Sequence, residues 1–199
     1  MSTAARHRHP SSPRTTASRA RLFNAAMDLV GAIGPDKVTV DAIAAAAGVA
    51  KGTVYYQFGS KTELIRGLID HGYSVMREAL LEPAAAEDPM AAIEGMIRAT
   101  LDFLDEHASF AKLWHSEMWL AESPWGEQLR RMRGEILDMI SQSLARLGTS
   151  SSGIRPAVFA TTLFGAAYIT GMDAQLGNDE IPTEDRVAAL MATVRGYLS

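Results

Sequence analysis

The sequence contains no cysteine among its 199 residues. This absence excludes disulfides, thiolate chemistry and cysteine-ligated zinc sites, and it is expected for a protein of a reducing cytoplasm. The histidines are scattered, and no His-x-x-x-His pair or carboxylate grouping marks a metal site, so we expect none. A glycine-rich phosphate loop and a nucleophile motif are missing too, and we therefore expect neither a cofactor nor enzymatic activity.

Long apolar runs are also missing. The longest uncharged stretch, residues 156–172, has only 17 residues and includes three threonines. A transmembrane helix needs about 20 mostly apolar residues, so we expect a buried helix here and no membrane span. The N-terminus has basic residues but no apolar segment behind them, unlike a signal peptide. These features together predict a soluble cytoplasmic protein.

Charge is unevenly distributed along the chain. Residues 1–61 carry eight Lys or Arg and three Asp or Glu, a net charge of +5, whereas residues 62–199 carry eleven against twenty, a net charge of −9. Hydrophobic residues make up 47% of the chain and charged residues 21%, which is typical of a globular protein. The basic N-terminal third indicates contact with a polyanion. Charge alone leaves nucleic acid, anionic lipid and chance open.

Helical periodicity extends over most of the chain, and no alternating strand pattern of useful length is present. We therefore predict an all-α fold of about nine helices. Residues 1–17 are aperiodic and rich in Ser, Thr, Pro, Arg and His, which predicts a disordered basic arm. Ser18 is predicted to cap the first helix, Thr39 the second, and Ser60 a long connector helix that ends near Leu81.

A short third helix, residues 51–58, follows the second after a turn of about three residues. Two short helices with this spacing form a helix-turn-helix, whose second helix enters the major groove of DNA. Gly52 costs roughly 1 kcal/mol in a helix interior compared with alanine. We interpret it as a position where the backbone must approach the duplex closely.

The segment TVDAIAAAAGVAKGTVYYQFGSKTEL, residues 39–64, resembles the corresponding motif of the tetracycline-repressor (TetR/AcrR) family of bacterial regulators. The resemblance implies a homodimer that binds an inverted-repeat DNA operator and releases it when a small molecule binds. It also implies a helix-turn-helix domain over residues 18–65 and a ligand-binding and dimerisation domain over residues 66–199. Ala50 departs from the family, which often has a capping Ser or Thr there.

The DNA contacts expected from the motif and from the resemblance are hydroxyl groups, lysines and the glycine backbone. Gln57 replaces a frequent family histidine and is expected to contact a base edge or a phosphate, and two arginines of the basic end are expected to reach a neighbouring groove. The expected contacts are Thr39, Lys51, Gly52, Thr53, Tyr55, Tyr56, Gln57, Lys61, Arg14 and Arg19.

Aromatic and methionine side chains cluster in the second half of the chain. They predict either an aromatic core or a ligand pocket for a small lipophilic or aromatic effector. The candidate pocket residues are Met96, Thr100, Phe103, His107, Phe110, Trp114, His115, Met118, Trp119 and Tyr168. The last two helices are predicted to form a two-fold four-helix dimer interface, with contacts from Phe159, Leu163, Ala167, Thr170, Val187, Leu190 and Val194.

Two other functions remain open at this point. A helical interaction module, or a protein of the membrane surface, would use the basic end as an adhesive patch. A ligand-independent member of the same family would bind DNA without an effector.

Overall fold

The computed structural model describes residues 13–148, 150, 153–177 and 181–199. Within these ranges the chain forms nine α-helices and no strand, which confirms the predicted all-α fold. The helices are α1 (Pro13–Ile33), α2 (Val40–Ala46), α3 (Lys51–Phe58), α4 (Lys61–Ala84), α5 (Pro89–Glu106), α6 (Ala108–Met118), α7 (Gly126–Ala145), α8 (Pro156–Ala174) and α9 (Thr183–Leu198).

The chain divides into two compact units, one ending at Ile65 and the other beginning at Arg66. Helix α4 is continuous across this division, so its first turn belongs to the first unit and the remainder to the second. No helix of the described residues combines the length and apolar character that crossing a bilayer requires.

The first unit is built from α1, α2, α3 and the start of α4. Its core consists of fully buried aliphatic side chains at helical spacing, chiefly Leu22, Ala26, Val30, Ile43, Val54 and Leu64. Ala44 is also buried, as expected for a small residue where α2 and α3 pack together. These contacts present α3 on the surface of the unit while Val54 fixes its inner side.

Most of the predicted helix ends are confirmed. The Thr39 hydroxyl accepts a hydrogen bond from the backbone N–H of Ala42 at 3.1 Å, and the Ser60 hydroxyl accepts one from Glu63 at 3.1 Å. Gly59 ends α3 with φ of +77°, a conformation that favours glycine. Such caps depend only on neighbouring residues, which is why the sequence reveals them.

Two helix ends differ from the predictions. Helix α1 begins at Pro13, so Ser18 does not cap it, and residues 13–17 of the predicted arm are helical. Proline is favoured at the first helical position because its fixed φ suits the helix and its missing N–H has no partner there. Residues 1–12 lie outside the described part of the chain. Helix α4 continues past Leu81 to Ala84, with Pro83 in its last turn.

The second unit consists of α5 to α9 and the remainder of α4. Helix α8 is the central element and contacts α5, α7 and α9. A Cβ atom on Gly171 of α8 would lie 2.4 Å from Leu104 Cδ1 of α5, so the glycine permits this close helix approach. Two small cavities, described below, lie between these helices. Side chains of α4, α5, α7 and α8 line the first, and side chains of α4, α5, α6 and α8 line the second.

Candidate DNA-binding site and effector site

The outer face of α3 is exposed and carries residues that packing does not explain. Tyr56 is 87% exposed, and Tyr55 is exposed beside it. A Cβ atom on Gly52 would meet no described atom within 4 Å, so no neighbouring part of the folded chain requires a glycine. The glycine therefore leaves this part of the helix backbone uncovered.

The amino end of α3 is suited to an anion. Ala50 occupies the N-cap position and makes no side-chain capping bond within the described structure. The first N–H groups of a helix then have no side-chain acceptor, and a phosphate can supply one. Thr39 and Thr53 add hydroxyl groups in the same unit, the first exposed and the second half-buried.

Lys51 lies at this end of α3 and forms an ion pair with Asp41 of α2. Lys51 Nζ is 2.9 Å from Asp41 Oδ2, and both side chains are mostly exposed. The hydrogen bond to Asp41 and its charge raise the pKa of Lys51. Asp41 therefore competes with any phosphate for this ammonium group. The sequence analysis missed Asp41 because no local pattern links residues on different helices.

Lys61 has a structural role that its sequence context does not reveal. Its Nζ donates hydrogen bonds to the backbone carbonyls of Pro35 at 2.9 Å, Asp36 at 3.3 Å and Val38 at 3.0 Å. A lysine ammonium has three donors, and all three are used here. This side chain fixes the connection between α1 and α2, and the DNA contact expected of Lys61 stays a prediction.

Gln57 and Arg19 both contact other residues of the first unit. Gln57 Nε2 donates to the Ser18 hydroxyl of α1 at 3.2 Å, and Gln57 is half-buried, so its expected contact with a base edge or a phosphate stays a prediction. The Arg19 guanidinium lies over the ring of Phe58 at 4.7 Å, a cation–π contact between α1 and α3. Arg19 is therefore part of the helical unit and not of an arm. The Arg14 side chain lies outside the described residues.

Two cavities lie inside the second unit, each with free space for about one water molecule. The first has a volume of about 20 Å³ and is lined by aliphatic side chains together with Met96 and Thr100. The second has a volume of about 10 Å³ and is lined mainly by aromatic side chains. Phe164 of α8 lines both cavities, a relation that the sequence analysis missed.

The predicted pocket residues divide into two groups. Met96 and Thr100 line the first cavity, and four others line the second, namely Phe103, Phe110, Trp114 and Tyr168. Neither of these two cavities is lined by His107, His115, Met118 or Trp119. Trp119 is 68% exposed, with the Arg133 guanidinium 5.8 Å from its ring centre, and His115 is exposed and stacks on Tyr168.

The predicted dimer contacts lie mostly inside their own subunit. Six of the seven are buried by the rest of the chain, namely Phe159, Leu163, Ala167, Val187, Leu190 and Val194. These six side chains pack within their own subunit, and their part in a dimer interface stays a prediction. Helix α8 is almost uncharged and has apolar residues on every side, so its sequence does not reveal which side its own subunit covers. Thr170 is half-buried and lies at the border of this inner face.

The opposite side of α8 remains uncovered within the described chain. Val158 is 48% exposed and Ile169 is 59% exposed, and Thr161, Thr162 and Gly165 lie between them on the same helical face. A Cβ atom on Gly165 would meet no described atom within 4 Å. We call Val158, Thr161, Thr162, Gly165 and Ile169 the outer face of α8.

Comparison with known proteins assigns the chain to a family. The family model described as bacterial regulatory proteins, tetR family, matches residues 22–68. The solved structure of a candidate fatty acid metabolism regulator from Clostridium perfringens is 26% identical, covers 90% of this chain and 98% of its own, and superposes with a TM-score of 0.77. Residues 22–68 therefore belong to the TetR family of DNA-binding domains. The chain is a transcriptional regulator with a DNA-binding helix-turn-helix.

Other solved structures of transcriptional regulators have the same fold. A TetR-like transcriptional regulator from Rhodococcus sp. RHA1 is 23% identical over 95% of this chain and 98% of its own, with a TM-score of 0.78. The regulator FadR from Bacillus subtilis, solved with stearoyl-CoA, is 15% identical over 88% of this chain and 96% of its own, with a TM-score of 0.74. No curated protein matches the chain.

Proposed function

We propose that this TetR-family regulator represses transcription by binding an inverted-repeat operator as a homodimer, and that a small lipophilic or aromatic molecule releases it. In this proposal residues 18–65 bind DNA, whereas residues 66–199 bind the effector and dimerise. The observation that supports DNA binding most directly is the outer face of α3. It combines an exposed glycine, exposed tyrosines and a helix terminus without a side-chain cap.

The proposed DNA contacts are those that remain available at this surface. They are Thr39, Lys51, Gly52, Thr53, Tyr55 and Tyr56. Hydroxyl groups and backbone N–H groups position a protein on phosphates, and Lys51 neutralises a phosphate when it leaves Asp41. Because the Lys51–Asp41 pair is exposed, solvent screens the attraction and breaking the pair costs little.

The proposed dimer contact is the outer face of α8. A second copy packed on the same face would cover Val158 and Ile169 by two-fold symmetry. Threonine and glycine between these two residues permit two helices to approach closely. The two recognition helices of such a dimer are expected to meet half-sites one turn of DNA apart, about 34–36 Å.

Release by an effector requires two conformations of the dimer. The effector can shift their equilibrium only by binding the released conformation more tightly, and DNA must weaken effector binding by the same factor. One similar structure is that of a candidate fatty acid metabolism regulator, and another regulator was solved in complex with stearoyl-CoA. Acyl compounds are therefore the first effectors to test.

The experiment is selection of bound fragments from sheared genomic DNA, followed by operator titration at several salt concentrations. The proposal expects an inverted repeat and an affinity that falls steeply with salt, because bound counterions are released. The proposal would be overturned if the protein preferred no duplex over heparin, or if it were monomeric at every concentration. Binding to anionic vesicles in preference to DNA would support the membrane-surface alternative.

A further inference from the structure

The two cavities of the second unit are lined by uncharged side chains. No Asp, Glu, Lys, Arg or His of the described chain lines either of them. Placing an ionised group in such a site is costly unless it finds a paired charge. The part of a ligand that enters these cavities is therefore uncharged.

The polar groups in the cavity walls number three, and two of them are already bonded within the chain. The Thr100 hydroxyl donates to the backbone carbonyl of Met96 at 2.8 Å. The Tyr168 hydroxyl donates to the carbonyl of Ala111 at 2.6 Å, and burial raises the pKa of Tyr168, so this proton is retained. Both donors are committed to α5 and α6 themselves.

Trp114 is the exception among these walls. Its side chain is only 3% exposed, and its Nε1–H is buried without an acceptor among the described residues. Buried donors are nearly always bonded in native proteins, and an unbonded one is costly. The indole ring lines the second cavity. A ligand oxygen in that cavity would satisfy the donor.

Aromatic rings form the wall around Trp114. Phe110 lies 5.9 Å from the Trp114 ring centre, and Phe103 meets Phe110 edge-on at 5.6 Å. Phe164 separates this cavity from the aliphatic one, since it lines both. With volumes of about 10 and 20 Å³, neither cavity accepts more than a water molecule until a side chain moves. Displacement of Phe164 would join the two cavities into one apolar site.

We infer that the joined cavities bind an uncharged lipophilic molecule whose carbonyl, ester or ether oxygen accepts a hydrogen bond from Trp114 Nε1. The planar or oxygen-bearing part of this ligand lies in the aromatic cavity, and its aliphatic part extends past Phe164 into the aliphatic cavity. The role of this molecule as the effector rests on the proposed function. The binding site itself is inferred from the cavities and from Trp114, independently of that function.

The first test measures ligand selectivity on the unmodified protein without DNA. The probe is prodan, an uncharged naphthyl ketone whose fluorescence reports its surroundings, and the competitors are methyl laurate and laurate, which share one chain. We expect prodan to bind and methyl laurate to displace it at a concentration at least tenfold lower than laurate does. Equal competition by laurate, or no binding of prodan, would overturn the inference.

The second test assigns the donor by matched variants. Trp114→Phe keeps an aromatic ring but removes the N–H, and we expect prodan affinity to fall roughly three- to tenfold, as for the loss of one hydrogen bond. The same change at exposed Trp119 is the control and should leave the affinity unchanged. Naphthalene, which has no acceptor, should bind wild type and Trp114→Phe about equally. Equal prodan affinity of the two Trp variants would contradict the assignment of Trp114.

The two proposals fail separately. If prodan and methyl laurate bind as expected but no bound uncharged ligand changes operator affinity, the binding site stands and release by an effector fails. If the operator is bound with salt dependence but prodan and methyl laurate do not bind, the site fails and DNA recognition stands.

Phe164→Ala should strengthen prodan binding, because it joins the cavities. Weaker binding by this variant would contradict the joined site.

Discussion

Gly72 of α4 lies against the ring of Phe110 on α6. A Cβ atom on Gly72 would be 2.2 Å from Phe110 Cδ2, a distance that no non-bonded pair of carbon atoms tolerates. Phe110 also lines the aromatic cavity. A ligand that displaces this ring would therefore press on α4, the helix whose first turn belongs to the DNA-binding unit.

This contact predicts the behaviour of Gly72→Ala. The added methyl group must push Phe110 or α4 aside, as we expect a bound ligand to do. Operator affinity without any ligand should fall by a factor in the range of allosteric coupling, roughly 5- to 150-fold. Titration of labelled operator with the ligand-free variant measures this factor.

Gly134→Ala in α7 is the matched control. Its new Cβ atom would meet no described atom within 4 Å, so it makes the same chemical change without a collision. Operator affinity should match that of wild type, while helix stability rises by up to about 1 kcal/mol. If Gly72→Ala binds the operator as tightly as Gly134→Ala does, Phe110 does not transmit ligand binding to α4.

Lys51 and Lys61 should respond oppositely to substitution. Lys61→Met removes three hydrogen bonds to the α1–α2 connection and should lower the free energy of unfolding by about 2 kcal/mol. Lys51→Ala should leave the midpoint of urea unfolding unchanged but weaken operator binding and reduce the salt slope by about 1 per subunit. Normal stability of Lys61→Met together with lost operator affinity would instead identify Lys61 as a DNA contact.

Ile169→Glu tests the dimer contact proposed for α8. A carboxylate in an apolar two-fold contact would be buried there without a paired charge, so the variant should be monomeric by analytical ultracentrifugation. Leu81→Glu, at another exposed apolar position, is the control and should remain dimeric. A dimeric Ile169→Glu would place the interface elsewhere.

Tyr73 predicts a loss of stability at alkaline pH. Its hydroxyl donates to Glu135 Oε2 of α7, and burial followed by this bond raises the pKa of Tyr73 to about 12. Because the folded pKa lies above the ordinary value of about 10, the stabilisation is complete below about pH 10 and is lost as the pH rises to about 12.

Melting curves across this pH range measure the effect. Tyr73→Phe should melt at a lower temperature near neutral pH and show a smaller further decrease between about pH 10 and 12. Tyr56→Phe, on the exposed face of α3, should melt like wild type throughout. An unchanged alkaline decrease in Tyr73→Phe would assign it to other groups.

Features set by neighbouring residues could be predicted from the sequence. The caps at Thr39 and Ser60 and the helix end at Gly59 each depend on a few adjacent positions. The family motif likewise extends over a short segment. These local features were enough to predict the fold class and α3 as the candidate recognition helix.

Features set by distant contacts could not be predicted. The three carbonyls bound by Lys61 lie more than twenty residues away in sequence, and the partner of Lys51 lies on a different helix. The inner side of α8 depends on which helices cover it, and its nearly uniform apolar character hides that choice. No sequence pattern indicates that Gly72 meets Phe110.

Gly52→Ala tests most directly the claim that α3 gives up helix stability for close approach to DNA. The free protein has room for the methyl group, so its free energy of unfolding should stay the same or rise by up to about 1 kcal/mol. Operator affinity, measured by titration of the selected fragment, should fall tenfold or more, which corresponds to about 1.4 kcal/mol. A variant that is equally or more stable and binds the operator as tightly as wild type would contradict the claim.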